Sequence, residues 1–231
     1  VCVLSDIQNM GYEVVLVSSG AIAVGRNKLN MTSKPDSMRM KQAAAAVGQC
    51  SLMYLYDKFF GDYDKTVAQI LLNAEDIEQE EKKENLINTF NALLEMGVIP
   101  IVNENDSVSY KEIESEDRLF GDNDMLSAVV AVLCRARHLV ILSDIDGFYD
   151  HDPRLYPNAK LIEQIDTIDD SVYALAGGAG SRRGTGGMRT KLQAAALATS
   201  QGTDTIVTNG KHPEALYDIV KGLHAGTLFP G

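Results

Sequence analysis

The stretch RRGTGGMRTK, residues 182–191, places a basic pair, three glycines and a lysine within ten positions. The run is too rich in glycine for an ordinary helix, but GMRTKLQAAALATSQG, which begins inside it, is typical of one. A glycine loop that opens onto a helix leaves the first backbone N–H groups unpaired at the positive end of the helix dipole. That arrangement suits an anion, most often phosphate. Lys191 falls too late for a Walker A loop, and a plain surface loop stays open as the alternative.

Three other polar clusters each follow an apolar run that predicts a strand. They comprise Ser18–Gly20 after VVLV, residues 103–106 after VIPIV, and Ser143, Asp144 and Asp146 after HLVIL. Ligands of open α/β sheets gather beyond the carboxyl ends of the strands, so we expect these clusters to belong to a ligand site. Each cluster alone could be a simple turn or a helix cap.

A fifth cluster, GDND, stands at the predicted start of a helix, GDNDMLSAVVAVLCRA. Its Asp122, Asn123 and Asp124 could cap that helix or contribute to the site.

Apolar runs that predict strands alternate with amphipathic runs that predict helices. The predicted strands are EVVLVS, TVAQILL, VIPIVNEN, HLVILSD and DTIVTNG. Because these strands are almost continuously apolar, we expect a mainly parallel central sheet that is covered on both faces. The expected fold class is α/β, a three-layer α/β/α sandwich, with residues 1–231 as a single domain.

The helices and loops between the strands can be predicted in the same way. VCVLSDIQNMG is typical of the end of a helix closed by Gly11, and MKQAAAAVGQCSLMYLYDKFF predicts a long helix whose alanines permit close packing. AEDIEQEEKKENLINTFNALLEMG predicts one helix that Gly97 ends. The segment SSGAIAVGRN is expected to be a loop.

Composition narrows the class of function. The chain has 231 residues, a net charge of −11 and a pI near 4.8, so we expect no nucleic-acid partner. No membrane span or signal peptide is visible, which favours the cytoplasm. The three cysteines match no metal pattern and are expected to be reduced and mostly buried.

The sequence has no recognisable covalent nucleophile. The four histidines are scattered, and neither a serine elbow nor a catalytic cysteine motif is present. The chemistry should therefore depend on positioning and charge stabilisation, and phosphoryl transfer is a reaction of that kind.

Six motifs occur in an order that resembles the glutamate 5-kinases of the amino acid kinase family. They are VVLVSSGAIAVG, KQAAAAVGQ, IPIVNENDSV, FGDNDMLSA, ILSDIDGFYDHDPR and GTGGMRTKLQAA. The resemblance implies an ATP-dependent phosphorylation of the γ-carboxylate of L-glutamate, the first step of proline biosynthesis. It also implies MgATP as the donor, with proline as a feedback inhibitor near residues 103–124.

The resemblance also implies roles for individual residues. It places Ser19, Asp106 and Asn123 on glutamate, and Ser143 and Asp144 on ATP. The remaining ATP contacts form one run, Thr185, Gly186, Gly187, Met188, Arg189, Thr190 and Lys191. Within that run Lys191 would stabilise the transferred phosphoryl group, and Asp124 would orient catalytic lysines.

Two features of the family are missing from this sequence. The family opens with a strand that carries a lysine and a glycine-rich turn, and many members end with an RNA-binding-like (PUA) domain. We expect N-terminal material to be absent here, because the sequence starts inside a predicted helix and without methionine.

The sequence alone leaves other functions open. Acetylglutamate or aspartate kinase activity and a non-catalytic amino-acid sensor are the alternatives in function. A homo-oligomer, dimer or tetramer, is expected, and the helix MKQAAAAVGQCSLMYLY could supply its interface or belong to the core.

Overall fold

The computed structural model describes residues 1–108, 123–176 and 185–231, without the side chains of Thr185 and Gly186. Within them the chain divides into two compact units, Val1–Leu126 and Ser127–Gly231. Most of the predicted acidic loop with Asp122, and residues 182–184 of the glycine-rich stretch, lie outside the described residues.

The first unit contains a parallel sheet of three strands in the order β1–β3–β2. The strands are β1 Leu16–Val17, β2 Val67–Leu72 and β3 Ile99–Glu104. Val17 lies opposite Val102 and Leu72 opposite Glu104, so the carboxyl ends of all three strands lie at one edge. The helices are α1 Cys2–Asn9, α2 Ala21–Lys28, α3 Met38–Gly61, α4 Ala74–Glu78 and α5 Glu80–Glu95.

The second unit contains a sheet in the order β4–β5–β6. The strands are β4 His138–Ser143, β5 Asp204–Asn209 and β6 Thr227–Phe229. Strands β4 and β5 are parallel, with Ser143 opposite Asn209, whereas β6 pairs antiparallel to β5. Its helices are α7 Asp170–Ala176, α8 Thr185–Thr199 and α9 Ala215–Val220, and α6 Asn123–Leu133 contains the boundary between the units.

Helices α2 and α3 cross at unusually short range. A Cβ atom on Gly25 would lie 1.7 Å from the carbonyl oxygen of Ala44, and one on Gly48 would lie 1.8 Å from that of Ala21. Both alanines are buried, and Ala44 belongs to the alanine run of α3 for which close packing was predicted. The two glycines therefore allow the backbones to touch, and they hold α3 against the segment that follows β1.

The predicted fold class is confirmed: the chain is α/β with a mainly parallel arrangement of strands. All five predicted strands form, although β1 is only two residues long. Strand β6 has no counterpart among the predictions.

Two of the predicted boundaries are wrong. The segment after Ser19 was predicted to be a loop, but it forms helix α2. Its small residues allow this helix to pack closely against α3. The long helix predicted before Gly97 is divided at Gln79, whose extended backbone (φ −90°, ψ 113°) ends α4 and begins α5.

The glycine-rich stretch and the cysteines also differ from expectation. Helix α8 already begins at Thr185, so Gly186 and Gly187 occupy its first turn and not a loop before it. Cys2 and Cys50 are exposed and Cys134 is half-buried, which contradicts the prediction of mostly buried thiols. Cys2 and Cys50 lie on the outer faces of α1 and α3, which the hydrophobic character of cysteine alone does not reveal.

No helix in the described part of the chain combines the length and the apolar character that crossing a membrane requires.

Candidate functional site

The first polar cluster begins at Ser18, directly after β1. The backbone N–H of Ser18 donates to the carbonyl oxygen of Val102 (2.8 Å), which continues the pairing of β1 with β3. Its side chain is hydrogen-bonded to the hydroxyl of Tyr56 on α3 at 2.8 Å, and the residue is buried. Ser18 is thus held by both its backbone and its side chain.

Asn103, at the end of β3, is the neighbouring buried polar residue. Its Nδ2 donates to Oε1 of Gln49 (2.9 Å), and its Oδ1 accepts from the backbone N–H of Glu104 (2.9 Å). The residue is 2% exposed, so these bonds satisfy a polar group that water scarcely reaches. The sequence-predicted clusters after β1 and β3 therefore do lie at one edge of one sheet.

The residues predicted to bind the acceptor are more accessible than these two. Ser19 is exposed and precedes Gly20, which caps α2 with a left-handed backbone (φ 93°). Asp106 is half-buried in the turn after β3. Asn123 and Asp124 are half-buried in the first turn of α6, where the helix dipole favours a carboxylate.

The second unit has its own cluster at the end of β4. Ser143 donates from Oγ to Oδ1 of Asp144 at 3.3 Å. Arg154 donates to Oδ2 of Asp144 at 3.2 Å, although both side chains are largely exposed. An exposed pair of this kind contributes little to stability, and it leaves both groups accessible to a ligand.

Asp146 connects the ends of two parallel strands. It accepts from Nδ2 of Asn209, the last residue of β5, at 2.7 Å and from the hydroxyl of Tyr149 at 3.0 Å. The bond from Asn209, followed by that from Tyr149, lowers the pKa of the Asp146 carboxyl. Burial, followed by the bond to Asp146, raises the pKa of Tyr149. At neutral pH the pair is therefore a carboxylate with a protonated phenol.

Helix α8 carries the described part of the glycine-rich stretch. Only residues 200–203 separate α8 from β5, against which it packs, so helix and strand run in opposite directions. The N-terminus of α8 consequently lies toward the carboxyl end of β5, where Asn209 is found. Its buried face consists of Leu192, Ala194, Ala195 and Ala198.

The side chains in the first turns of α8 differ in exposure. Met188 and Lys191 are half-buried, and Arg189 is exposed with its guanidinium 5.9 Å from the ring centre of Tyr173. Thr190 donates from Oγ1 to the carbonyl oxygen of Gly187 at 3.0 Å. The second turn of α8 thus carries two cationic side chains, and cationic groups close to a helix N-terminus suit a phosphate.

Residues 1–108, 123–176 and 185–231 contain no group of three or more His, Cys, Asp or Glu side chains that could hold a metal ion.

Five residues that the structure places at these clusters were not predicted as site residues: Gln49, Tyr56, Tyr149, Arg154 and Asn209. Asn209 ends DTIVTN and would have been found by applying the strand-end rule to that strand as well. Gln49 and Tyr56 lie inside a helix pattern, where nothing in the local sequence signals a polar contact.

Parallel strands that end in hydrogen-bonded polar clusters, with a helix N-terminus suited to phosphate, are typical of α/β proteins that bind phosphate-containing ligands. The chain belongs to the amino acid kinase family, whose model matches residues 2–209.

Curated relatives are similar over nearly the whole chain. A glutamate 5-kinase of Clostridium perfringens is 57% identical over 227 residues, which covers 98% of this chain and 84% of the relative. A glutamate 5-kinase of Listeria innocua is 50% identical, covering 98% of this chain and 82% of the relative.

Solved structures share the fold at much lower identity. An isopentenyl phosphate kinase of T. acidophilum is 18% identical with a TM-score of 0.64, and a carbamate kinase of Giardia lamblia bound to AMP-PNP is 17% identical with the same TM-score. Each alignment covers 99% of this chain and 88% of the solved one. A UMP kinase of Bacillus anthracis, 16% identical with a TM-score of 0.60, covers 99% and 83% respectively.

Proposed function

We propose that this chain is a glutamate 5-kinase, which transfers the γ-phosphoryl group of ATP to the γ-carboxylate of L-glutamate. A carboxylate oxygen of glutamate attacks the γ-phosphorus, the bond to the β-phosphate oxygen breaks, and the products are γ-glutamyl phosphate and ADP. The observation that carries this proposal is the 57% identity to a glutamate 5-kinase over 98% of the chain. The reaction is the first step of proline biosynthesis, which we place in the cytoplasm.

The acceptor residues that we assign all belong to the first unit. Ser19, Asp106 and Asn123 precede Leu126, where that unit ends. Asp106 offers a carboxylate for the ammonium group of glutamate, and Ser19 and Asn123 offer neutral hydrogen-bonding groups for its carboxylates. The neutral groups avoid charge repulsion with the two carboxylates of the substrate.

The ATP residues that we assign all belong to the second unit. Ser143 and Asp144 follow β4, and Thr185–Lys191 form the first turns of α8. Support comes from the topology, because the N-terminus of α8 and the carboxyl ends of β4 and β5 lie toward the same end of that unit.

Charge stabilisation of the transferred group is assigned to Lys191. A lysine in the second turn of α8 adds a full positive charge to the partial charge of the helix N-terminus. Asp124 would orient catalytic lysines from the first turn of α6. Mg²⁺ would enter as part of the MgATP substrate and neutralise charge on the phosphates.

Proline is the inhibitor that we propose, at a site that overlaps the one for glutamate near residues 103–124. Proline retains the ammonium and α-carboxyl groups of glutamate, so Asp106 could bind either compound. In a competition titration, proline should weaken glutamate binding, and unchanged binding would refute this part of the proposal.

The first test traps the acyl phosphate with hydroxylamine. The chain is incubated with MgATP and, in separate reactions, glutamate, acetylglutamate or aspartate. Hydroxamate with glutamate alone is the expected result. Hydroxamate with another acceptor, or with none although ATP binds, would overturn the proposal.

A pair of lysine variants tests the catalytic assignment. Lys191→Met should lower kcat on the order of 100-fold, as expected when one stabilising group is removed from a phosphoryl-transfer site. The control is Lys221→Met, which removes an exposed lysine at the end of α9 and should leave kcat unchanged. Equal kcat values for the two variants would contradict the role of Lys191.

A further inference from the structure

We propose that one face of α3 positions the acceptor site, with Tyr56 holding Ser18 and Gln49 holding Asn103. Neither α3 residue is assigned to touch a substrate, so both act as positioning residues. The inference rests on the proposed function, since it concerns the site that we assign to glutamate.

Tyr56 fixes the turn that carries Ser19. Its hydroxyl bonds the buried Ser18 side chain at 2.8 Å, while the backbone of Ser18 is bonded to Val102. With its neighbour held in this way, Ser19 emerges from the sheet edge in a defined direction, before the left-handed Gly20 turns the chain into α2.

Gln49 fixes the other half of the edge. Its Oε1 accepts from Asn103, whose own Oδ1 accepts from the backbone N–H of Glu104. This second bond determines how the chain leaves β3 toward Asp106. A free rotation of the Asn103 side chain would release both bonds together.

The two positioning residues stand on the same face of one rigid helix. They are seven positions apart, which is two helical turns, so both point toward the sheet edge. Phe60, one turn beyond Tyr56, is fully buried, with its ring centre 6.4 Å from that of Tyr56. The backbone contact of Gly48 with α2 holds the middle of α3, directly beside Gln49.

This arrangement separates support from binding. Ser19 is exposed and Asp106 is half-buried, whereas Ser18 and Asn103, which precede them in the chain, are buried and hydrogen-bonded to α3. Preorganised sites are built in this way, because a side chain that is already oriented loses less entropy when the ligand binds.

A double-mutant cycle tests the Ser18–Tyr56 contact. Ser18→Ala and Tyr56→Phe each remove one hydroxyl and preserve the packing. Each should raise KM for glutamate about fivefold, which corresponds to the net contribution of one hydrogen bond. KM for ATP should be unchanged. The double variant should resemble either single variant, because both remove the same bond. Tyr54→Phe, on the exposed side of the same helix, is the matched control.

A second pair of variants tests the Gln49–Asn103 contact. Gln49→Leu removes the acceptor and should raise KM for glutamate. Gln49→Glu retains an acceptor for Asn103, so its KM for glutamate should stay close to that of the parent. Thermal unfolding of each variant verifies that it is folded.

The outcomes distinguish the inference from the function on which it rests. If the parent chain forms hydroxamate with glutamate and the Ser18, Tyr56 and Gln49 variants keep its KM for glutamate, the inference alone is overturned. Equal rises in KM for both substrates would also overturn it, because they indicate a general loss of structure. Failure of the parent to phosphorylate glutamate overturns the function and the inference together.

Discussion

Asn209 donates a hydrogen bond of 2.7 Å from Nδ2 to Oδ1 of Asp146, and this bond joins the ends of two parallel strands. Asn209 is the last residue of β5, and Asp146 lies in the loop after β4. The same carboxylate accepts from Tyr149, so one charge organises the loop that begins with Ser143 and Asp144. Since we assign ATP binding to that loop, loss of this contact should weaken the binding of ATP more than that of glutamate.

We predict that Asp146→Ala raises KM for ATP about fivefold, with KM for glutamate unchanged, because the loop after β4 loses its anchor. Steady-state kinetics with each substrate varied in turn measures both constants. Asn209→Ala should have the same effect, and combining the two should add little. Asp218→Ala on the exposed face of α9 is the control. A multiplied effect in the double variant would show that the two residues act separately.

His138 should make stability depend on pH. Burial lowers the pKa of this histidine, an effect that the nearby Asp204 carboxylate (3.7 Å) opposes and Arg137 reinforces. The unfolded chain therefore takes up the proton at a higher pH than the folded chain does. The neutral ring therefore contributes fully to the free energy of unfolding above the ordinary histidine pKa of about 6.5. This contribution is lost as the pH falls through the pKa of His138 in the folded chain.

Urea unfolding at pH 7.5, 6.5 and 5.5 measures this effect. The stability of the parent relative to His138→Gln should decrease as the pH falls, because the glutamine cannot titrate. His224→Gln, at an exposed histidine, provides the control. A difference between parent and His138→Gln that stays constant with pH would refute the prediction.

Two glycines of α2 and α3 should respond oppositely to substitution by alanine, because Gly25 lies at the helix crossing and Gly61 does not. Gly25→Ala places a methyl group 1.7 Å from a backbone oxygen and should lower the free energy of unfolding by about 3 kcal/mol. Gly61→Ala meets no atom within 4 Å and should raise it by about 0.5 kcal/mol, because alanine favours the helix. Denaturant titration compares both with the parent, and a neutral Gly25→Ala would contradict the close crossing.

The cysteines should react at two different rates. Cys2 and Cys50 are exposed, whereas Cys134 is half-buried on the turn after α6. Titration of the native chain with a thiol-reactive disulfide should therefore modify two thiols quickly and the third slowly, or only after denaturant is added. In Cys134→Ser the slow phase should disappear. Three equally fast thiols would show that Cys134 is accessible.

Local sequence was sufficient for the strands and for the polar groups at their ends. Apolar runs such as VIPIV are stable in a sheet only when both of its faces are buried. The polar residues that follow them then lie at the edge of the sheet. Ser18, Asn103 and Ser143 can therefore be placed at strand ends from the sequence alone. The break of the predicted helix at Gln79 was missed because helix propensity changes little from Ala74 to Glu95.

The sequence by itself determined the alternation of strands and helices, the polar edges and the family resemblance, because each depends on neighbours within a few residues. Only the tertiary structure decided which groups support those edges. Tyr56 is 38 positions from Ser18, and Gln49 is 54 positions from Asn103. Tertiary packing also converted the segment after Ser19 into α2, since Gly25 and Gly48 let two backbones meet. Such contacts arise between residues far apart in the chain, and no local pattern of residue types specifies them.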